Sequence, residues 1–201
     1  MPRMWFGLTV ALLAAGVVIG TQAQAPSSAE ADTMHAKLSR VKAAAEAPRA
    51  PRVPPRSTSF TEREINAYFV HYGDDFLPAG IAEPRVTLAN EGRVVARATV
   101  DLDAVRRARE RSLLDPLAYL SGSLEVVAAG AVAGSEGRGL IRFESATVGG
   151  VSVPKAVAQE LLRFYTRGPE RPNGFQFDEP FALPARIQSV SSKRGAVTIT
   201  Q

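Results

Sequence analysis

Three features of this chain predict an α+β fold, a curved antiparallel sheet of about six strands built from three hairpins and packed on two amphipathic helices. Apolar and polar residues alternate from Val94 to Asp103 with the period of a half-buried strand. Turn-forming clusters recur between short strand-like runs, at Asn90-Glu91-Gly92, Gly134-Ser135-Glu136-Gly137 and Lys193-Arg194-Gly195. Two stretches, after Thr61 and after Pro154, carry an apolar stripe at helical spacing. The 145 residues from Ser57 to Gln201 are enough for one core.

The chain opens on Met1-Pro2-Arg3, followed by 17 uncharged, mostly apolar residues from Met4 to Gly20. Thr21-Gln22-Ala23 then offers the small residues at −3 and −1 that a signal peptidase accepts. Residues 1–23 therefore read as a signal peptide, and the protein as exported, periplasmic or extracellular. The competing reading is an uncleaved anchor over residues 4–20, at the short end of what spans a membrane. The chain has no cysteine, so neither a disulfide nor a lipidated N-terminal cysteine is available. Its one tryptophan, Trp5, lies in the leader.

Residues 24–58 read as a basic, Pro- and Ala-rich tether. Met34, Leu38, Val41 and Ala45 sit at helical spacing, but so thin a stripe predicts no more than a marginal helix. Pro48, Pro51, Pro54 and Pro55 favour an extended spacer. The formal charge of +4 is concentrated here, in Lys37, Arg40, Lys42, Arg49, Arg52 and Arg56, while residues 57–201 carry equal numbers of acidic and basic side chains. A basic tether near an envelope is attracted to an anionic membrane surface; its simpler role is a solvated linker that repels itself and stays soluble. Nucleic acid is excluded as a partner, because the neutral domain offers no field for a phosphate backbone.

A single domain fills residues 59–201. Thr61 and Glu64 form a capping box, flanked by Phe60 and Ile65 at the staple positions, and the helix they open should stop at Gly73. Strands follow at Arg85–Ala89 and Arg93–Asp103, then a short helix at Ala104–Glu110 and an apolar piece around Leu117, Tyr119 and Leu120. The next hairpin, Ser123–Ala133 with Arg138–Val148, has a first strand poor in bulk (Ala128, Ala129, Gly130, Ala131), which suits close packing or a sharp bend. Pro154 starts a helix to Arg167 with a stripe of Val157, Ala158, Leu161, Leu162 and Tyr165. Gly168–Pro184 is irregular but holds Phe175, Phe177, Phe181 and Leu183, which predicts a strap packed over the sheet. A last hairpin runs from Ala185 to Gln201.

Ser59-Phe60-Thr61-Glu62-Arg63-Glu64-Ile65-Asn66-Ala67-Tyr68 resembles the "lTe.qiNayl" opening of several uncharacterised exported bacterial families. Val148–Pro154 and Pro180–Ile187 are similar to the later half of the same families. Some of those resemble tubular lipid-binding (TULIP-like) modules, in which a curved sheet wraps a long helix and leaves an apolar groove. The resemblance implies binding of a lipid or another apolar ligand.

Catalytic signatures are few. His35 falls in the tether and His71 near the end of the first domain helix. There is no metal-binding His-Glu-x-x-His, no nucleophile elbow and no phosphate loop, so neither a cofactor nor a metal is expected. Asp101 and Asp103 share one strand face and, with Glu144, could bind a hard cation or act as an acid/base pair. His71 could couple with Asp74 or Asp75, and a hydrolase would need Asp101, Asp103 and His71 to converge. The simpler role of Asp101 and Asp103 is a solvated face beside Arg97, Arg106 and Arg142. The reading that follows is a non-enzymatic envelope domain binding an apolar ligand between sheet and helices, lined by Ile65, Phe69, Leu161, Leu162 and Tyr165. The alternative is a protein–protein module of an envelope assembly, docking through Phe175–Leu183 or the helix at Met34–Ala45.

Overall fold

A computed structural model of the chain describes residues 25–48, 54–107, 121–167 and 172–201. Helices and strands alternate as α1 (Ser28–Glu46), β1 (Ser57–Thr61), α2 (Glu62–Tyr72), β2 (Ile81–Leu88), β3 (Arg93–Asp101) and α3 (Leu102–Arg107). They continue as β4 (Ser123–Ser135), β5 (Arg138–Val148), β6 (Val151–Ser152), α4 (Lys155–Thr166), β7 (Phe181–Ala182), β8 (Ser189–Lys193) and β9 (Ala196–Thr200). The fold is α+β with one open antiparallel sheet that does not close into a barrel.

The three predicted hairpins are present as β2–β3, β4–β5 and β8–β9. The strands number nine rather than about six. Each addition is short: β1 pairs with the distant β9, β7 lies along β5, and β6 turns straight back on the end of β5. The path runs β1-β9-β8-β4-β3-β2, with β5 on the other side of β4. Turn chemistry fixes the register. Glu136 and Gly137, at φ 52° and 75°, join β4 to β5, and Gly149 and Gly150, at φ 56° and 79°, join β5 to β6. Both are two-residue turns with the left-handed backbone that matches strand twist.

Within the segment expected as a tether, residues 28–46 form a full helix that packs on α2. Ser27 and Glu30 form a second capping box that starts α1, and the helix runs 19 residues. Its buried apolar residues are only Ala31 and Val41. Polar contacts to α2 do the rest: Glu30 to Arg63 at 2.6 Å, Lys37 to Glu64 at 2.7 Å, and the Tyr72 hydroxyl donating to Asp32 at 2.7 Å. A helix held through charged partners leaves only a thin hydrophobic stripe in its sequence. Gln201, at the far end of the chain, donates to the Val41 and Ala185 carbonyls and ties α1 to β9.

The capping box at Thr61 and Glu64 starts α2 as predicted. Its end differs in kind. Gly73 sits in the right-handed region, at φ −59°, and the chain tightens into a 3-10 turn over Gly73–Asp75. Glycine leaves room there for Leu77, whose Cδ1 would lie 2.8 Å from a Cβ and would have to shift. The apolar piece at Leu117–Leu120 and the later part of the basic run at Arg109–Arg111 lie outside the described residues.

β2 is a sheet edge, and α2 covers it with side-chain hydrogen bonds. Asn66 accepts from the Val86 N–H at 2.7 Å and donates to the Val86 carbonyl at 2.8 Å. Glu62 accepts from the Leu88 N–H at 2.7 Å. An amide and a carboxylate thus replace the missing neighbour strand and keep the edge from pairing with another chain.

Candidate ligand-binding site

Register places one continuous apolar face on the sheet, since paired residues share a face. Val94, Ala96, Ala98 and Val100 of β3 lie beside Gly130, Ala128, Val126 and Leu124 of β4. Phe143 of β5 pairs with Gly130, and Ala146 pairs with Ala128. In a regular strand, residues three apart point to opposite faces. The irregularity opposite Ala129 and Gly130 inserts one extra residue into β5 and returns Phe143 and Ala146 to the same side. The opposite face carries the ion pairs Arg93–Glu144 (2.6 Å) and Arg97–Glu125 (3.4 Å).

A trough of 160 Å³ opens on the apolar face, walled by Val94, Val132, Ile141, Phe143 and Phe177. Ala96 and Ala128 line its floor and remain exposed. Of the small residues of β4, Gly130 sits in a close backbone approach at the strand irregularity, where a Cβ would lie 2.5 Å from the Arg142 carbonyl oxygen, while Ala128 leaves room. A volume near 150 Å³ accommodates a benzene-sized group, so the trough suits one segment of an acyl chain or one ring.

Phe177 forms the outer wall, 4.9 Å from the Phe143 ring centroid. Gln159 of α4 holds it there, accepting from the Phe177 N–H at 2.8 Å and donating to the Phe175 carbonyl at 3.1 Å. Asp178 donates its N–H to Ile141 at 2.8 Å and forms an ion pair with Lys155. That ion pair holds the Asp178 carboxyl below its ordinary range. Beyond Phe177, Phe181 and Leu183 pack on Gly139, where a Cβ would lie 2.7 Å from the Phe181 ring. The predicted strap therefore packs on the sheet, and α4 is its clamp.

Four of the five predicted lining residues, Ile65, Phe69, Leu161 and Leu162, are not among the residues that line this trough. Ile65 and Phe69 are half-buried on α2, and Phe69 lines a separate cleft of 580 Å³ beside Leu77 and Ile81. Leu161 and Leu162 are half-buried on α4, which packs at β5, whereas α2 packs at β2. The side chain of Tyr165 lies outside the described part of the structure. Helical stripes marked the flanks of the site; its floor and most of its walls come from strands, and the outer wall, Phe177, from the strap. The signal available in sequence was the run of small residues in β4 opposite the Val94–Val100 alternation.

The acidic residues considered for hydrolysis hold structure together. Asp101 accepts from the N–H groups of Asp103 and Ala104 and so starts α3. Asp103 accepts from the Gly122 N–H at 3.0 Å and pairs with Arg106; the backbone donor first and the guanidinium second lower its pKa. Glu144 is engaged by Arg93, eight residues from Asp101 along β3, a span of roughly 27 Å. His71 lies 3.3 Å from the Pro26 carbonyl. Among the described residues, no group of three or more His, Asp or Glu side chains is placed to hold a metal.

The basic residues of 24–58 divide. Lys37 is taken up by Glu64, while Arg40 and Arg56 line an exposed recess of 260 Å³ with Ser57, Thr58 and Ser59, and Lys42 is exposed. Arg49 and Arg52 lie outside the described residues. Both elements considered for docking a protein, α1 and the Phe-rich strap, pack within the fold. No family model matches the chain, and no curated protein matches it.

Proposed function

We propose that this protein is an exported, non-enzymatic domain of the cell envelope that binds a lipid acyl chain or a similar apolar group on the open face of its sheet. The observation that carries the reading is the exposed trough between β3, β4, β5 and Phe177, whose lining is aliphatic and aromatic apart from Arg142 and whose floor is alanine. An apolar surface kept open by small residues and bounded by a clamped aromatic ring is arranged for a guest. The resemblance of residues 59–68 to exported families related to tubular lipid-binding modules belongs to the same proposal. The leader at residues 1–23 supports the envelope location, and the exposed Arg40, Lys42 and Arg56 are suited to anionic headgroups.

Titration of the protein with a fluorescent fatty-acyl probe tests the reading. Native protein is expected to bind the probe at micromolar concentration, and Ala128→Phe, which fills the trough from its floor, to weaken binding at least tenfold. Equal binding by both proteins, or none by the native one, would overturn it. Export has its own readout: an N-terminus at Gln24 and the loss of tryptophan fluorescence with Trp5.

A further inference from the structure

The last turn of α2 and the 3-10 turn after it expose two large apolar side chains, Val70 at 59% and Phe76 at 47%. They are firmly mounted. Phe76 ends a ladder of stacked rings that runs His35, Tyr72, Tyr68, Phe76, with centroids 4.8, 5.0 and 5.3 Å apart. Phe69 supports it from the side at 6.1 Å. The chain enters the domain at this same corner, because His71 meets the Pro26 carbonyl and Tyr72 bonds Asp32. From Gly20 to Pro26 the backbone can extend about 22 Å at most. The segment ending at Gly20 is the most apolar in the chain and carries large side chains throughout, including Trp5, Phe6, Leu8, Leu12, Leu13 and Val18. A cleft could cover one side of such a segment, whereas lipid covers all sides.

We propose that the Val70–Phe76 corner is a bilayer-contacting surface, pressed against the membrane in which residues 4–20 are embedded before or without cleavage. The proposal rests on the envelope location argued above but not on the trough. Contact there is apolar and aromatic, suited to the headgroup boundary. Asp32, Asp74 and Asp75 surround the corner, so neutral lipid is the matching surface. The exposed cations Arg40 and Lys42 belong to the C-terminal half of α1, a helix about 28 Å long.

A chain without cysteine permits single-site labelling. Full-length protein carrying Val70→Cys, Phe76→Cys or, as control, the exposed Val157→Cys of α4 would be labelled with an environment-sensitive fluorophore and mixed with phosphatidylcholine vesicles. Labels at 70 and 76 are expected to shift to the blue and to be quenched by brominated lipid, while the label at 157 keeps its aqueous spectrum. If the protein floats with the vesicles and all three labels stay aqueous, the contact surface is refuted and the location survives. If the protein does not float, the location fails and takes this surface with it. A blue shift at 70 and 76 before vesicles are added would mean that residues 4–20 cover the corner, and would also refute bilayer contact.

Discussion

Replacing Asn66 by alanine should loosen the β2 edge by an amount the geometry sets. The side chain makes two hydrogen bonds to one peptide unit, accepting from the Val86 N–H at 2.7 Å and donating to the Val86 carbonyl at 2.8 Å. Truncation leaves both backbone groups without a partner. Each unpaired buried group costs about 1–3 kcal/mol. Val86 is half-buried, so water reaches the site and the low end applies to each. The sum is about 2 kcal/mol, or a melting point lower by ~4–8 °C for a domain of this size. With a urea slope near 2 kcal/mol per molar, the midpoint should fall by about 1 M. Amide hydrogen exchange supplies the second readout. Protection at Val86 should drop while that at Leu88, held by Glu62, is kept. A loss below about 0.5 kcal/mol with Val86 protection unchanged would refute the idea that α2 seals this edge.

Two further predictions concern charge and backbone. The Glu30 carboxyl is lowered from its ordinary 4.5 to about 2, first by its hydrogen bond with Arg63 and then by the Ser27 N–H. A depressed carboxyl stabilises the fold fully above the ordinary value and loses that contribution as pH falls from 4.5 toward 2. The urea midpoint should decline across that window, and Arg63→Ala should flatten the decline. Gly92 and Gly195 share a left-handed backbone, at φ 76° and 73°, but differ in surroundings. At Gly92 a Cβ would lie 2.4 Å from the Val132 carbonyl oxygen, whereas at Gly195 nothing lies within 4 Å. Gly195→Ala should therefore cost about 1 kcal/mol and Gly92→Ala about 3 kcal/mol, by chemical denaturation.

The elements legible in sequence were those whose cause is local. The alternation of β3 and the Glu136-Gly137 turn are written in consecutive residues, as is the Thr61–Glu64 box, and each forms where expected. β1, β6 and β7 were missed because, unlike β8 and β9, they do not flank a turn signal that predicts a hairpin of comparable strands; β6 and β7 are two residues long, and β1 exists through its distant partner β9. The length of α1 was missed for a related reason, since its attachment lies in Glu30, Asp32 and Lys37, residues that read as solvated until Arg63, Tyr72 and Glu64 are set opposite them. The site followed the same division. Its alanine floor was visible as low bulk in β4, but its depth depends on the extra residue in β5 and on the grip of Gln159 on Phe177. Both are relations between two segments that neither segment's own pattern records.

The pairing of β1 with β9 joins Ser57 to Thr200, and the same sheet end receives Gln201. The first and last pieces of the domain are thus neighbours, and one cannot settle without the other. Loop closure over that distance makes assembly slow. A nascent chain therefore stays open until residues 196–201 have been made, with β1 lacking its template strand until then. If the chain is exported as proposed, delayed closure suits threading through a narrow translocation channel.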